Sequence, residues 1–303
     1  MIMHKSFGTA PRSKKMFVSA YSPSHITGFF MICDNLNPLY KGSVGGGIVL
    51  EAGCVSEVSL NNSLKTRTEL KINGVDAVAA TTKYVVDRMI ERSKQAVSVT
   101  VITDFEVPVG SGFGASGAGA LSTAVALNEL LSLNMTRNEV AQIAHLAEVE
   151  NSTGLGDVIA ELNGGVVIRK KPGPPGIGLI DTVPHAGTKI SYVIFGKKAT
   201  KTVLCDAAMK RSINEAGKVA LKELMQKPDF DNFMRVSRRF SLRSGVISDK
   251  CRDAIEAVDA EGKVASVAML GDTVFVVGDS EALKEFGDVK ESRLTGMGAR
   301  VIY

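Results

Sequence analysis

Much that would place a chain quickly is missing from these 303 residues. Aromatic side chains make up only 6% of the chain, too few for the stacking face that a single-strand nucleic-acid binder needs. The four cysteines, Cys33, Cys54, Cys205 and Cys251, lie far apart with no Cys-x-x-Cys pair. They read as reduced thiols of a cytosolic protein, neither a disulfide frame nor a zinc site. No apolar run approaches the ~20 residues of a membrane span. Residues 1–15 carry His4, Lys5, Arg12, Lys14 and Lys15 without the apolar core of a signal peptide, and read as a flexible basic tail. Internal repeats and low-complexity tracts are absent, as is the Gly-Lys-Ser/Thr of a P-loop. Charge is nearly balanced, 36 basic against 32 acidic residues for a net +4. That suits an anionic ligand but is too weak to argue for nucleic acid. An apolar content of 45% over this length allows two domains and a substantial core.

What is present is a glycine-rich loop that turns into a helix. The β-branched run at 97–103 reads as a strand. It leads to Pro108-Val109-Gly110-Ser111-Gly112-Phe113-Gly114-Ala115-Ser116-Gly117-Ala118, followed by an apolar stretch to Leu131. Gly110, Gly112 and Gly114 allow positive φ and close backbone approach to a ligand. A helix opening near Ser116 then aims unpaired N–H groups and its positive end at the loop, where a nucleoside triphosphate fits. Gly112 to Gly117 also satisfies G-x-G-x-x-G, but residues 104–111 separate it from the strand, and no acidic strand end follows about 20 residues later. A dinucleotide oxidoreductase is therefore a distant alternative. A turn that merely packs a helix on a sheet is the plainer one.

Elsewhere, 16–21 reads as a strand, and Pro23 and Gly28 mark a turn presenting Ser24, His25 and Thr27. His25 is either bonded to backbone there or part of a site. Residues 41–47 form a second glycine loop before a strand at 48–55. It is either a tight bend or a backbone cradle for a small acid, with the Ser43 hydroxyl as donor. Strand and polar turn follow over 57–70, with Asn61 and Asn62 at the tip. A helix spans 77–94, with Val78, Val85 and Met89 on one face. Thr136 and Glu139 form a capping box, opening a helix whose Val140, Ile143, Ala144 and Ala147 face the core. His145 and Glu148, three apart, share a face of that helix. On their own they read as a structural histidine and a solvated acid, and with no partner His at metal spacing zinc is not expected. Asp157 follows a Gly-x-Gly turn that can lift its carboxylate toward the helix end. Phosphoryl transfer needs a carboxylate and a hydroxyl to hold a metal near the phosphates, and a second group to orient the acceptor. A turn at 162–165 enters a strand ending near Arg169, whose planar fork suits a carboxylate, unless it lies in solvent. The Pro-Gly cluster at 172–176 is a candidate domain boundary. Beyond it, strands are expected at 189–196, 264–270, 273–277 and 299–303, and helices at 202–226, 230–242, 249–258 and 280–286. Arg235, Arg238, Arg239 and Arg243 form a basic helical run: a solvated face, a dimer contact or a phosphate neighbour.

The Pro-x-Gly-x-Gly-Phe-Gly-Ala-Ser-Gly-Ala string resembles the central motif of the galactokinase, homoserine kinase, mevalonate kinase and phosphomevalonate kinase (GHMP) superfamily. Phe113, Ala115 and Gly117 stand where that superfamily usually has Leu, Ser and Ala. Pro23-Ser24-His25-Ile26-Thr27-Gly28-Phe29-Phe30 and Ala268-Met269-Leu270-Gly271 resemble the archaeal pantoate kinases within it. The likeness covers most of the chain, most strongly 22–47 and 108–169. It implies an α+β, two-domain GHMP kinase fold: a ribosomal-protein-like N-terminal domain (16–172) binding ATP and substrate, and a ferredoxin-like C-terminal domain (177–303). It implies a cytoplasmic, Mg2+- and ATP-dependent kinase that phosphorylates the primary hydroxyl of (R)-pantoate to 4-phosphopantoate, for coenzyme A synthesis. ATP would lie on Pro108, Gly110, Ser111, Gly112, Gly114, Ala115, Ser116 and Gly117. Ser116 and Glu148 would hold Mg2+, and Asp157 would be the catalytic base. Ser43, His145 and Arg169, with His25 nearby, would bind the acid. The third superfamily motif, a glycine-rich loop, is replaced by residues 266–273 with Gly271 alone, which argues against homoserine or mevalonate kinase and leaves that loop without an assigned role. Other expectations stay open: a GHMP kinase for another hydroxy acid or an isoprenoid precursor, and a non-catalytic RNA-binding protein. The expected partner is a small molecule, with neither nucleic acid nor membrane; a homodimer stays open.

Overall fold

The structure, a computed structural model, describes residues 17–61, 67–198, 203 and 206–302. The expected tail at 1–15, Met16 of the first strand, Asn62 at the polar turn, Thr202 at the helix start, Cys205 and Tyr303 lie outside these residues. Alternating apolar and small residues build two long antiparallel strands, β1 (Phe17–Cys33) and β2 (Gly42–Asn61). The expected turn at Pro23 and Gly28 and, from Gly42 on, the expected loop at 41–47 are thus strand. Register shifts between Pro23 and Ser24 and between Thr27 and Phe29 absorb the irregular residues as bulges. The glycines of β2 make room for side chains of β1: a Cβ on Gly46 would lie 2.7 Å from the Phe29 ring, and one on Gly47 2.0 Å from His25 Nε2.

β3 (Thr68–Ile72), β4 (Val75–Asp76) and β5 (Ser98–Phe105) extend one side of this sheet, β3 running parallel to β5. β6 (Val166–Lys171) pairs with β2, β7 (Leu179–Val183) with β6, and β12 (Arg300–Ile302) with β1. The order is β12-β1-β2-β5-β3-β4, with β6 and β7 branching from β2. Four helices belong to it: α1 (Ala80–Ser93), α2 (Ala115–Leu130), α3 (Arg137–Asn151) and α4 (Asp157–Asn163). α2 is buried almost all round, between β1 and β2 on one side and α1, α3 and α4 on the other. α3 opens on the Thr136–Glu139 capping box, both reciprocal bonds present. Val85 and Met89 of α1 are buried as expected, but Val78 precedes the helix and is fully exposed.

A second, four-stranded sheet has the order β11-β8-β10-β9, from β8 (Lys189–Gly196), β9 (Ala265–Val267), β10 (Asp272–Val277) and β11 (Lys290–Arg293). Its helices are α5 (Ala207–Gln226), α6 (Phe230–Ser244), α7 (Asp249–Ala260) and α8 (Glu281–Lys284). The break at 172–176 connects β6 to β7 inside the first sheet; strands of the second sheet begin only at β8, and β12 returns to the first. One apolar core runs between the two layers. Phe29 of β1 lies 6.3 Å, ring to ring, from both Phe233 and Phe240 of α6. In the arginine run, Arg238 pairs with Asp259 and Arg239 with Glu223, while Arg235 and Arg243 are exposed. Cys33, Cys54 and Cys251 are free thiols. Among the described residues no helix is long and apolar enough to cross a membrane.

Candidate active site

The glycine loop between β5 and α2 has the conformation its composition demands: φ is 86° at Gly110, 94° at Gly112 and 62° at Gly114, a region costly for any residue with a Cβ. Gly114 caps α2 without a side-chain hydrogen bond, and the first turn carries no acidic residue. The helix thus brings no cap or acidic side chain of its own to its positive end, where an anion is favoured, although Glu148, Asp157 and Glu161 of α3 and α4 stand close by. The loop is braced from below. Ser111 Oγ donates to Pro108 O (2.5 Å), Thr273 Oγ1 to Ser111 O (2.8 Å), Lys198 N to Gly110 O (3.0 Å) and His25 N to Phe113 O (3.1 Å). The segment after β9 presses on it so tightly that a Cβ on Gly271 would lie 2.2 Å from Ser111 O, and one on Gly112 2.8 Å from Ala268 O. Where the superfamily resemblance leads one to expect a glycine nest, this segment supplies a backbone seat for the loop.

A cavity of about 310 Å3 opens over the loop. Gly110, Gly112, Gly114, Ala115 and Ser116 line it, with Thr27, Ser43, Thr153, Asp157 and Arg169 among the other walls. Ser116 Oγ donates to Glu148 Oε1 (2.5 Å), and Thr153 Oγ1 donates to the same oxygen (2.9 Å). Burial and the nearby charge of Asp157 push the Glu148 carboxyl well above its usual range. A Cβ on Gly154 would lie 1.9 Å from Glu148 Oε2, so that turn must be bare. Asp157, at the start of α4, accepts from His25 Nδ1 through Oδ1 at 2.7 Å. Burial alone would raise its pKa, but the His25 hydrogen bond and the Arg169 charge hold it below the usual value. Arg169 is 1% exposed. Its Nη1 lies 3.4 Å from His25 Nε2, its Nη2 donates to Thr27 Oγ1 at 3.5 Å, and its Nε has no partner. Burial lowers the guanidinium to about 10. A Cβ on Gly156 would lie 2.5 Å from Ser43 Oγ and 2.7 Å from Arg169 Nε, so this glycine leaves both donors their space.

The model of the GHMP kinase N-terminal domain matches residues 78–165, which hold the glycine loop, Glu148 and Asp157. Over 269 residues the chain is 38% identical to the pantoate kinase of Methanocaldococcus jannaschii, covering 88% of this chain and 94% of that protein. This chain belongs to the pantoate kinase family. It is also 32% identical over 292 residues to the pantoate kinase of Methanospirillum hungatei, covering 94% and 96% of the two proteins. A solved structure described as a phosphotransferase related to the CoA biosynthesis pathway superposes with a TM-score of 0.85 at 30% identity, covering 95% of this chain and 99% of that one. The α+β GHMP kinase fold expected from the resemblance is the fold found.

Within this member of the pantoate kinase family, the expected residues fall into two layers. The glycine-loop residues named above, with Ser43, Asp157 and Arg169, face the cavity. Pro108, Ser111 and Gly117 are not among its walls, and Gly117 packs within reach of Glu148 Oε2. His25 and His145 stand behind the wall rather than on it. His145 Nε2 bonds Lys41 O at 3.0 Å, and burial keeps its pKa low, so it fixes the chain just before Ser43. The sequence reading passed over Thr153, although its hydroxyl orients Glu148 and meets Thr81 Oγ1 of α1 at 3.3 Å. It also passed over Glu161, which is fully buried with neither carboxyl oxygen bonded. Glu161 stands four residues after Asp157, so one helical turn was the signal available for it.

Proposed function

We propose that this chain transfers the γ-phosphoryl group of ATP, with Mg2+, to the primary hydroxyl of (R)-pantoate, forming ADP and 4-phosphopantoate. The observation that carries this reading is one cavity with two charged ends. A helix terminus without a side-chain cap, over three positive-φ glycines, lies at one end, and a buried arginine whose Nε–H has no partner at the other. Asp157 adjoins both. Backbone N–H groups of 110–117 take the phosphates. Glu148 and Ser116, already bonded to each other beside the α2 terminus, offer the carboxylate and hydroxyl that Mg2+ accepts alongside phosphate oxygens. When bound there, the ion supplies charge neutralisation for the transfer.

Arg169 is a cation in a dry place without a carboxylate in its fork, a costly state that a substrate carboxylate relieves. Ser43 adds a hydroxyl beside it. The acceptor oxygen attacks the γ-phosphorus, the bond to the β-phosphate oxygen breaks, and the acceptor's proton passes to Asp157. A carboxylate held below its usual pKa is a weak proton sink. Its larger contribution is therefore to orient the hydroxyl, as a loose phosphoryl-transfer transition state requires. ADP release from Mg-ATP, measured with pantoate, mevalonate, homoserine and no acceptor, tests the reading. Turnover with pantoate alone is expected. Turnover with another acceptor and none with pantoate would move the substrate, and no acceptor-dependent turnover at all would overturn the kinase reading.

A further inference from the structure

Between the two ends of the cavity lies a histidine that touches neither cavity nor solvent. His25 is 0% exposed. Its Nδ1 meets Asp157 Oδ1 at 2.7 Å and its Nε2 faces Arg169 Nη1 at 3.4 Å. An arginine only donates and an ionised carboxylate only accepts. The ring's roles follow: Nδ1 carries the hydrogen, and Nε2 accepts. Burial keeps the ring neutral, its pKa lowered despite the Asp157 contact. The fold reserves this place. Bulges flank His25 on β1, its backbone N–H is tied to Phe113 of the glycine loop, and the absent side chain of Gly47 leaves room for Nε2.

We propose that His25 is a positioning residue that couples recognition of the substrate's carboxylate at Arg169 to the orientation of the Asp157 carboxylate. The inference rests on the phosphoryl-transfer reading above. With Oδ1 committed to the ring, Oδ2 is the oxygen left for the acceptor hydroxyl. Movement of Arg169 onto a bound carboxylate is passed through Nε2 to the ring, and through Nδ1 to Asp157. An acceptor without a carboxylate leaves that chain unset and loses kcat as well as affinity. The charged and titratable groups around the ring are Asp157 on α4 and Arg169 on β6, with Glu148 of α3 and Glu161 of α4 beyond Asp157.

The test uses two amides. Asparagine sets its N–H₂ where Nδ1 stands, and glutamine reaches only the Nε2 position. Each variant breaks one end of the chain, the Arg169 link in His25→Asn and the Asp157 link in His25→Gln, so both should lose kcat by about 30-fold or more, a misplacement effect. In both, the KM for ATP should stay within about threefold, since no phosphate contact changes. Undiminished kcat in either variant would overturn the coupling: in His25→Asn it would limit the ring to holding Asp157, and in His25→Gln it would detach the ring from Asp157. A second measurement needs no substrate. 15N spectra of the histidine rings in the wild type should show one ring held neutral with hydrogen on Nδ1, and Asp157→Asn should alter that ring's signals. Hydrogen on Nε2 of the His25 ring, identified as the ring whose signals Asp157→Asn moves, sinks the proposal even in an active kinase. The expected tautomer in a chain that phosphorylates nothing leaves the His25 contact standing and overturns the reading of the reaction.

Discussion

Replacing Glu161 with glutamine should stabilise this protein, and more so as pH rises. The Glu161 side chain is fully exposed to neither solvent nor partner: it is buried, both carboxyl oxygens lack a hydrogen bond, and they lie against the bare backbone of Gly114 and Gly117. Burial first, then the charges of Asp157 and Glu148, raise its pKa well above the ordinary value of 4.5. The folded protein therefore holds the proton where the unfolded chain releases it. Between the unfolded and folded values, wild-type stability falls as pH rises, by up to about 1.4 kcal/mol per pH unit. Glutamine keeps the shape and cannot ionise, so this slope disappears. From pH 5.5 to 7.0 the advantage of Glu161→Gln should grow, by at most about 1.4 kcal/mol per pH unit. Urea unfolding of both proteins at the two pH values reads it directly. An advantage that does not change with pH would refute the reasoning, because the carboxyl would then titrate alike in both states.

Three further outcomes follow from the site. Asp157→Asn should lower kcat by about 10³-fold or more while calorimetric ATP affinity changes by no more than about threefold; undiminished turnover would remove Asp157 from the reacting centre. Arg169→Lys should raise the KM for pantoate by about 10- to 100-fold and leave the KM for ATP alone, since a point charge cannot replace the planar fork; an unchanged pantoate KM would place the carboxylate elsewhere. Thr153→Val removes one of the two hydroxyl donors to Glu148 Oε1. It should raise the Mg2+ concentration for half-maximal activity by about 3- to 10-fold, as loss of an outer-shell partner does. A Mg2+ requirement equal to the wild type would contradict that role.

The parts of this molecule that were legible in sequence are those whose cause is local. The capping box at Thr136 and Glu139 involves residues three apart. The glycine loop is one continuous string, and β8 occupies the span expected of its apolar run, Lys189–Gly196. The β1–β2 pair was misread because Pro23, Gly28 and Gly45 to Gly47 break strands in isolation. Here bulges and neighbouring side chains accommodate them. β7 and β11 are short and mostly exposed, so they carry no apolar alternation to find. Asp157 and Arg169 stand 132 and 144 residues from His25. No local spacing reports their meeting, and a family likeness names residues without saying which one stands behind another. The missing partner of Glu161 is likewise a property of packing, invisible until α4 is laid under α2.

The central claim is that phosphorus ends on the primary hydroxyl of pantoate, and the 31P spectrum of the reaction mixture tests it most directly. A phosphomonoester that grows in step with ADP and is split by the two C4 protons is the predicted result. A product split by the single C2 proton, or ADP accompanied only by inorganic phosphate, would contradict it.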